Sequence, residues 1–404
     1  MEFFISVMKV VGVVLFLVIL SAIISLFFKR FRLIGLISLL TIIILFIVAF
    51  LAFFTSRSFE RGYLSKSDEY RNHQIKSMAD SANFYIGAIG DVKMMSRPEF
   101  AKIVNSITPE NALKMQGVFL GGIVGEYDFS ESDLIVDFAL SNNFRVRGHT
   151  LIWGKLSHYF KNPDLDLYLS AFPEDERSQK LKELFIKHIT TVLNHYRDRI
   201  KVWEVVNEPL EIFGEGEMEE NVYFRYLGKN YVKDAFRLAH DIDPTIKLYL
   251  NELLVNYHDK RAEGLLDFVR EMQADSVPIH GIGLQSHMMF QLPDPENLRK
   301  YLKKIEKMGL EVELTEVDAR LMLFKDADDP YKAQAEFYGK LLEICLENQA
   351  CKGITFWGFT DAHSWMDGNW FFQKPNEPYF YDQDMNPKPI IKTLNDVLIE
   401  HNRR

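Results

Sequence analysis

Two glutamates could do chemistry here. Glu208 follows the run Val202-Trp203-Glu204-Val205-Val206-Asn207, and Glu316 follows Glu311-Val312-Glu313-Leu314-Thr315. Each closes a strand-like stretch at the point where strand gives way to loop. Packing below such a strand end holds a carboxylate in place and raises its pKa, which suits a proton donor. A facing pair of carboxylates is what cleavage of a glycosidic bond requires: one protonates the leaving oxygen and the other acts at the anomeric carbon. Each glutamate also has a structural reading, Glu208 as a helix cap and Glu316 as the partner of a lysine. Glu316 is followed by Asp318, and His287 ends the preceding strand-like stretch. A histidine held by one carboxylate can be aimed at another. His149, His287, Glu316 and Asp318 are also metal-ligand types. They lack H-x-x-x-H or H-x-H spacing, and neither metal nor cofactor is expected.

Trp153, Trp357 and Trp365 offer ring faces on which the C–H face of a sugar could stack, with polar groups around them to read hydroxyls. Core packing is the competing role for any one tryptophan. Trp365 follows the polar loop Gly358–Ser364 and has little reason to be core. Glu110, Asn111 and Lys114 place charge and an amide nearby. The chain is 13% aromatic with a net charge of -9, which argues against a nucleic-acid binder and suits a neutral, hydroxyl-rich ligand.

The elements that must position these groups alternate. Strands are expected at Phe84–Ile89, Ser106–Asn111, Phe144–Trp153, Val202–Glu208, Ile246–Glu252, Ile282–His287, Glu311–Asp318 and Gly353–Phe359. Helices are expected at Leu181–Tyr196, Tyr223–Ala239, Glu263–Met272, Leu298–Met308, Ala333–Glu347 and Ile390–Ile399. Most strands end on a polar residue: Glu110, His149, Glu208, Glu252, His287 and Glu316. This is α/β architecture, and eight such units point to a (β/α)8 barrel with its site at the strand C-terminal ends. An open doubly wound sheet would begin with a glycine-rich phosphate loop, and Ile86-Gly87-Ala88-Ile89-Gly90 lacks most of one.

Residues 1–57 differ from the rest. Val10–Phe28 and Leu33–Phe54 carry no charge, and each is near the roughly 20 residues a spanning helix needs. Two transmembrane helices are expected, with Lys29, Arg30 and Arg32 in a cytoplasmic turn. Residues 58–80 read as a linker and first helix, and 81–404 as the barrel domain on the extracytoplasmic side, periplasmic or at the cell surface. One span plus a membrane-lying segment is the alternative. In such a compartment Cys345 and Cys351 could close a disulfide, or remain two buried thiols at a helix end.

The domain resembles glycoside hydrolase family 10, the retaining endo-β-1,4-xylanases on a (β/α)8 barrel. The blocks that carry the resemblance are Thr108-Pro109-Glu110-Asn111 with Lys114; Arg147-Gly148-His149-Thr150-Leu151-Ile152-Trp153; Trp203 to Glu208; Gly283-Leu284-Gln285-Ser286-His287; Leu314-Thr315-Glu316-Val317-Asp318; and Trp357-Gly358-Phe359-Thr360-Asp361 on to Ser364-Trp365. The resemblance implies Glu208 as general acid/base and Glu316 as nucleophile. It implies Asn207 as a contact to the sugar 2-hydroxyl, with His287 and Asp318 supporting the nucleophile. His149, Trp153, Gln285, Trp357 and Trp365 would line the sugar site at the cut bond, and Glu110, Asn111 and Lys114 the next sugar. Some members share the cysteine pair. Gly154-Lys155-Leu156 departs from the family's His-Ser-Gln, and Asn251-Glu252-Leu253-Leu254 from Asn-Asp-Tyr-Asn. The expected partners are a β-1,4-linked polysaccharide or oligosaccharide and, through residues 1–57, a lipid bilayer; the protein is expected to be a monomer. The alternatives are a glycosidase acting on another β-linked glycan and a catalytically weak, membrane-anchored glycan-binding protein.

Overall fold

The computed structural model describes residues 73–122, 124–154, 165–254, 256–368 and 375–404. The expected spans within 1–57, most of the 58–80 stretch, and Lys155 and Leu156 lie outside them. Among the described residues no helix is long and apolar enough to cross a membrane.

Eight parallel strands close into a barrel: β1 (Tyr85–Ile89), β2 (Ser106–Thr108), β3 (Arg145–Gly148), β4 (Val202–Asn207), β5 (Lys247–Glu252), β6 (Gly281–Leu284), β7 (Glu311–Ala319) and β8 (Cys351–Phe356). Each pairs with the next, and β8 pairs with β1 through Tyr85↔Gly353 and Ala88↔Phe356. Two short extensions, Ile152–Trp153 and His287–Met288, continue β3 and β6 along β4 and β7.

Two register shifts matter for the site. Glu204 pairs with Tyr249, yet Asn207 pairs with Asn251, so β4 carries an extra residue between those rungs. On β7, Glu313 pairs with Gly353 and Val317 with Phe356, again with an extra residue. A bulge of this kind re-aims the side chains beyond it. Glu204 and Glu313 below the bulges, and Asn207 and Glu316 above them, can therefore all address the barrel axis.

Helices pack outside. Asp259, Asp294 and Asp329 cap the helices Lys260–Ala274, Pro295–Lys307 and Pro330–Leu346 through their side chains, and proline at the first turn pre-sets the backbone of the last two. The single helix expected over Tyr223–Ala239 is two, Val222–Leu227 and Tyr231–Ile242. Gly228, at φ +80°, ends the first, a conformation without penalty for glycine. Sequence periodicity did not suggest Ser130–Ser141, although Glu131 and Asp133 in its first turn suit a helix N-terminus. Ile75–Ser81 packs on the closing helix Pro389–Arg403. Cys345 and Cys351 are joined as a disulfide between Pro330–Leu346 and β8.

Glycine on β3 is required by close approach. A Cβ on Gly148 would sit 2.2 Å from the Trp203 ring, which is buried and cannot swing away. Gly148→Ala is expected to destabilise the fold by about 1–3 kcal/mol, read as a lowered midpoint in thermal or urea unfolding.

Candidate active site

The strand C-termini bring the two glutamates into one hydrogen-bonded network. Glu316 is buried within β7, in its C-terminal half. Its Oε1 accepts from Asn251 Nδ2 at 2.7 Å, and its Oε2 lies 3.1 Å from His287 Nε2. Asn251 also donates to Asn207 Oδ1 at 2.8 Å, and Thr315 Oγ1 donates to Asn251 Oδ1 at 2.7 Å, fixing the amide. Gln285 Nε2 reaches both Asn207 Oδ1 (3.1 Å) and Glu208 Oε1 (2.8 Å). An amide relay thus links Glu316 to Glu208 through Asn251, Asn207 and Gln285.

Glu208 sits at φ +53°, outside the range that side chains other than glycine favour. Its N–H donates to Asn251 O at 2.9 Å, which anchors that backbone. Strain of this sort survives only where surrounding bonds enforce it, and it concentrates at functional positions. Glu208 is half-buried, whereas Glu316 is buried. A half-open carboxyl can exchange a proton with a leaving group and with water. A buried one, held at both oxygens, has a fixed line of attack.

His287 bridges the carboxylates of β7. Its Nδ1 lies 2.9 Å from Asp318 Oδ1, and Trp365 Nε1 donates to Asp318 Oδ2 at 2.8 Å. Burial opposes a charge on His287. The Asp318 charge and the bonds to Asp318 and Glu316 outweigh burial and hold the pKa up to about 10. Trp365 is therefore half-buried as a brace on Asp318 as well as a ring face. Trp357 is buried and meets the His149 ring edge-on at 5.1 Å. Trp153 is half-buried, with the Lys114 ammonium 4.9 Å from its ring centre. Lys114 donates to Asn111 Oδ1 at 2.9 Å. Burial pushes its pKa down, against the pull of Glu316, Glu110, Glu208 and Glu204. Glu110 is half-buried and Asn111 exposed.

Sequence reasoning missed two members. Glu204, fully buried, accepts at Oε1 from Arg147 Nε at 2.7 Å, and its Oε2 lies 2.6 Å from His149 Nδ1. Burial would raise its pKa, but His149 and Arg147, through electrostatic attraction and hydrogen bonds, hold it below the usual carboxylate value. Asn251 was read only as a strand-end residue. The signal for Glu204 was present, because Arg145 and Arg147 of β3 and His149 just after it alternate on one face and need a counter-charge. Glu252 points elsewhere: it accepts from Leu210 N, Leu253 N and Arg261, and so braces the loops after β4 and β5. Of the metal-ligand types, His149, Glu204 and Glu316 offer atoms within 4.8 Å of one another. Hydrogen bonds within the network already engage these side chains.

The space beside Gly154 is occupied. A Cβ there would lie 2.3 Å from Asn221 Nδ2. Asn221 is buried, caps the helix Val222–Leu227 and donates to Tyr231 OH at 3.1 Å.

The family model of glycosyl hydrolase family 10 matches residues 74–397. A β-1,4-xylanase of Dictyoglomus thermophilum is 30% identical over 82% of this chain and 93% of that protein. Endo-1,4-beta-xylanase B of Thermotoga neapolitana is 29% identical over 81% of this chain and 92% of its own length. The crystal structure of xylanase 10B from Thermotoga petrophila in complex with xylobiose superposes with a TM-score of 0.72 at 30% identity, covering 82% of this chain and 98% of that one.

His287 is expected to stay doubly protonated from pH 5 to 8 and to lose a proton only near pH 10. Its raised pKa stabilises the fold fully below about 6.5, and that contribution fades as pH rises through about 10. A ¹⁵N imidazole titration reads this directly, and a midpoint near 6.5 would contradict the ion-pair geometry.

Proposed function

The chain belongs to glycosyl hydrolase family 10, and on that premise we propose that it hydrolyses β-1,4-xylosidic bonds within xylan or xylo-oligosaccharides, with retained configuration. The observation that carries this reading is the pair of strand-end carboxylates with different surroundings. Glu208 is half-open and bonded by Gln285, and Glu316 is buried and held by Asn251 and His287.

In this mechanism Glu208 protonates the leaving oxygen while Glu316 attacks the anomeric carbon, giving a covalent glycosyl-enzyme. The leaving sugar departs as an alcohol. Glu208, now ionised, takes a proton from water, and the hydroxide so formed displaces Glu316 from the opposite face. Two inversions give retention. His287, held by Asp318 and charged at neutral pH, supports the Glu316 carboxylate and its departure as a leaving group. Asn207 is suited to bond a sugar hydroxyl through its Nδ2, because its Oδ1 already accepts from Asn251 and Gln285. The tryptophans supply ring faces for the chain. The chemistry runs on carboxylates and needs no cofactor.

Glu316→Ala is expected to lower turnover of xylo-oligosaccharides by more than about 10³-fold, and azide should restore a glycosyl azide of inverted configuration. Glu208→Gln should slow xylan cleavage by about 10²–10⁴-fold, and much less for an aryl glycoside whose leaving group needs no proton. Full activity in Glu316→Ala would sink the assignment. A polysaccharide panel read by reducing ends separates xylan from other β-linked glycans, and a ladder of oligomers marks internal cleavage.

Residues 1–57 support a second proposal: they anchor the hydrolase to a bilayer with the barrel outside the cytoplasm. The full chain should sediment with membranes and resist carbonate extraction, and protease added to spheroplasts should release the barrel. Recovery in the soluble fraction would refute the anchor.

A further inference from the structure

Charge fills the barrel interior below the catalytic rim. Arg145 and Arg147 of β3 and His149 just after it follow one another at alternate positions. Glu204 meets them from the neighbouring strand β4, and Glu313 from β7, on the far side of the barrel. Arg145 Nη2 lies 2.7 and 3.0 Å from the two Glu313 oxygens. Arg147 Nη1 lies 3.2 Å from Glu313 Oε1, an ion-pair contact without hydrogen-bond alignment. Arg147 Nε donates to Glu204, and the other oxygen of Glu204 meets His149. The sequence of groups is cation, anion, cation, anion, imidazole, and it ends beside Glu316. Relative exposures of 0% for Arg147, 1% for Glu204 and His149 and 2% for Glu313 leave little solvent to screen these four groups, while the Arg145 side chain is 14% exposed. The rings of Tyr85 and Tyr249 lie against the two guanidiniums at 4.0 and 4.5 Å.

Two guanidiniums balance two carboxylates in this column. Without the charge on Glu313, both arginines would face Glu204 alone. Glu204 would then be drawn toward the cations and away from His149. Other charged groups near the column have their own contacts. Lys114 bonds Asn111 and feels Glu110, Glu208 and Glu316. His287 is held by Asp318 and Glu316. Below, Tyr249 and Lys247 both bond Glu311. Among the described residues, the hydrogen bonds and ion pairs of Glu313 go only to Arg145 and Arg147.

We propose that Glu313 is a positioning residue for the reaction: by neutralising Arg145 and Arg147 across the barrel, it leaves one oxygen of Glu204 free to hold His149 beside Glu316. The proposal rests on the reading of Glu208 and Glu316 as acid/base and nucleophile. Glu313 reaches neither, and acts through Arg147, Glu204 and His149.

The test uses the full chain with ¹⁵N-labelled histidine as wild type, Glu313→Gln, Arg145→Met and the double variant. Glu313→Gln leaves one excess positive charge below the rim, which favours ionised carboxylates. The basic limb of kcat/KM against pH should move down by about half to one unit. Its kcat should fall about tenfold, with KM within about twofold. Arg145→Met leaves one excess negative charge and should move the limb up. The double variant has the wild-type net charge and should return the limb to its wild-type position. The His149 Nδ1 resonance should shift in Glu313→Gln and return in the double variant. Packing damage alone would not give shifts of opposite sign that cancel. Singles that move the limb the same way, or a folded Glu313→Gln with a wild-type limb, overturn the proposal. If the wild type cleaves no glycan, the proposed function falls separately. The His149 resonance then decides: a shift reversed in the double variant supports the role, and no shift overturns it.

Discussion

Burying ions inside a barrel is the constraint on which the rest of this structure depends. An isolated buried charge costs many kcal/mol, and a pair survives only if its geometry and remaining hydrogen bonds are good. Here the guanidinium of Arg147 and the carboxylate of Glu204 are both fully buried and bonded to each other. Glu204 can serve His149 only because Arg147 leaves it an oxygen, and Arg147 can do so only because Glu313 shares its charge. The ordinary filling of such a barrel, layers of branched aliphatic side chains, would be easier to bury. It would not deliver an oriented imidazole to the rim.

The same constraint shapes the backbone. Regular alternation along β7 would put Glu313 and Thr315 on the axis and turn Glu316 toward the helices. The extra residue on β7 lets Glu313 and Glu316 both face inward, and the one on β4 does the same for Glu204 and Asn207. Each strand thus carries a charge-balancing carboxylate below its bulge and a site residue above it. Glycines make room for the large interior side chains: a Cβ on Gly281 would fall 2.4 Å from the Tyr249 ring, and one on Gly353 2.8 Å from Tyr85 Cβ.

Much of this was legible in the sequence. Strand ends marked by His149, Glu208, His287 and Glu316 located the rim, and alternation of strand and helix identified the barrel. What could not be read was partnership across the barrel. Glu313 looked like an ordinary strand residue because its partners, Arg145 and Arg147, are on β3, more than 160 positions earlier. Glu204 lies inside the stretch that ends in Glu208, and its partners Arg147 and His149 are more than 50 positions earlier. Bulges leave little local mark, since Val205 and Thr315 are unexceptional strand residues. The break at Gly228 was within reach, because a glycine inside an amphipathic pattern is a signal to end the helix.

A missing side chain need not mean a larger pocket. Gly154 stands where the resemblance implies histidine. In the fold the space beside it is taken by Asn221, whose oxygen is committed to Tyr223 N and Phe224 N and whose nitrogen is committed to Tyr231 OH. The space beside Gly154 is filled, and the Asn221 amide serves the helix start. On that side Lys114 donates to Asn111, and its ammonium lies over the Trp153 ring. A ring beside a cation suits a neutral sugar with hydroxyls at its edge, because the apolar C–H face meets the ring while the ammonium donates to an oxygen.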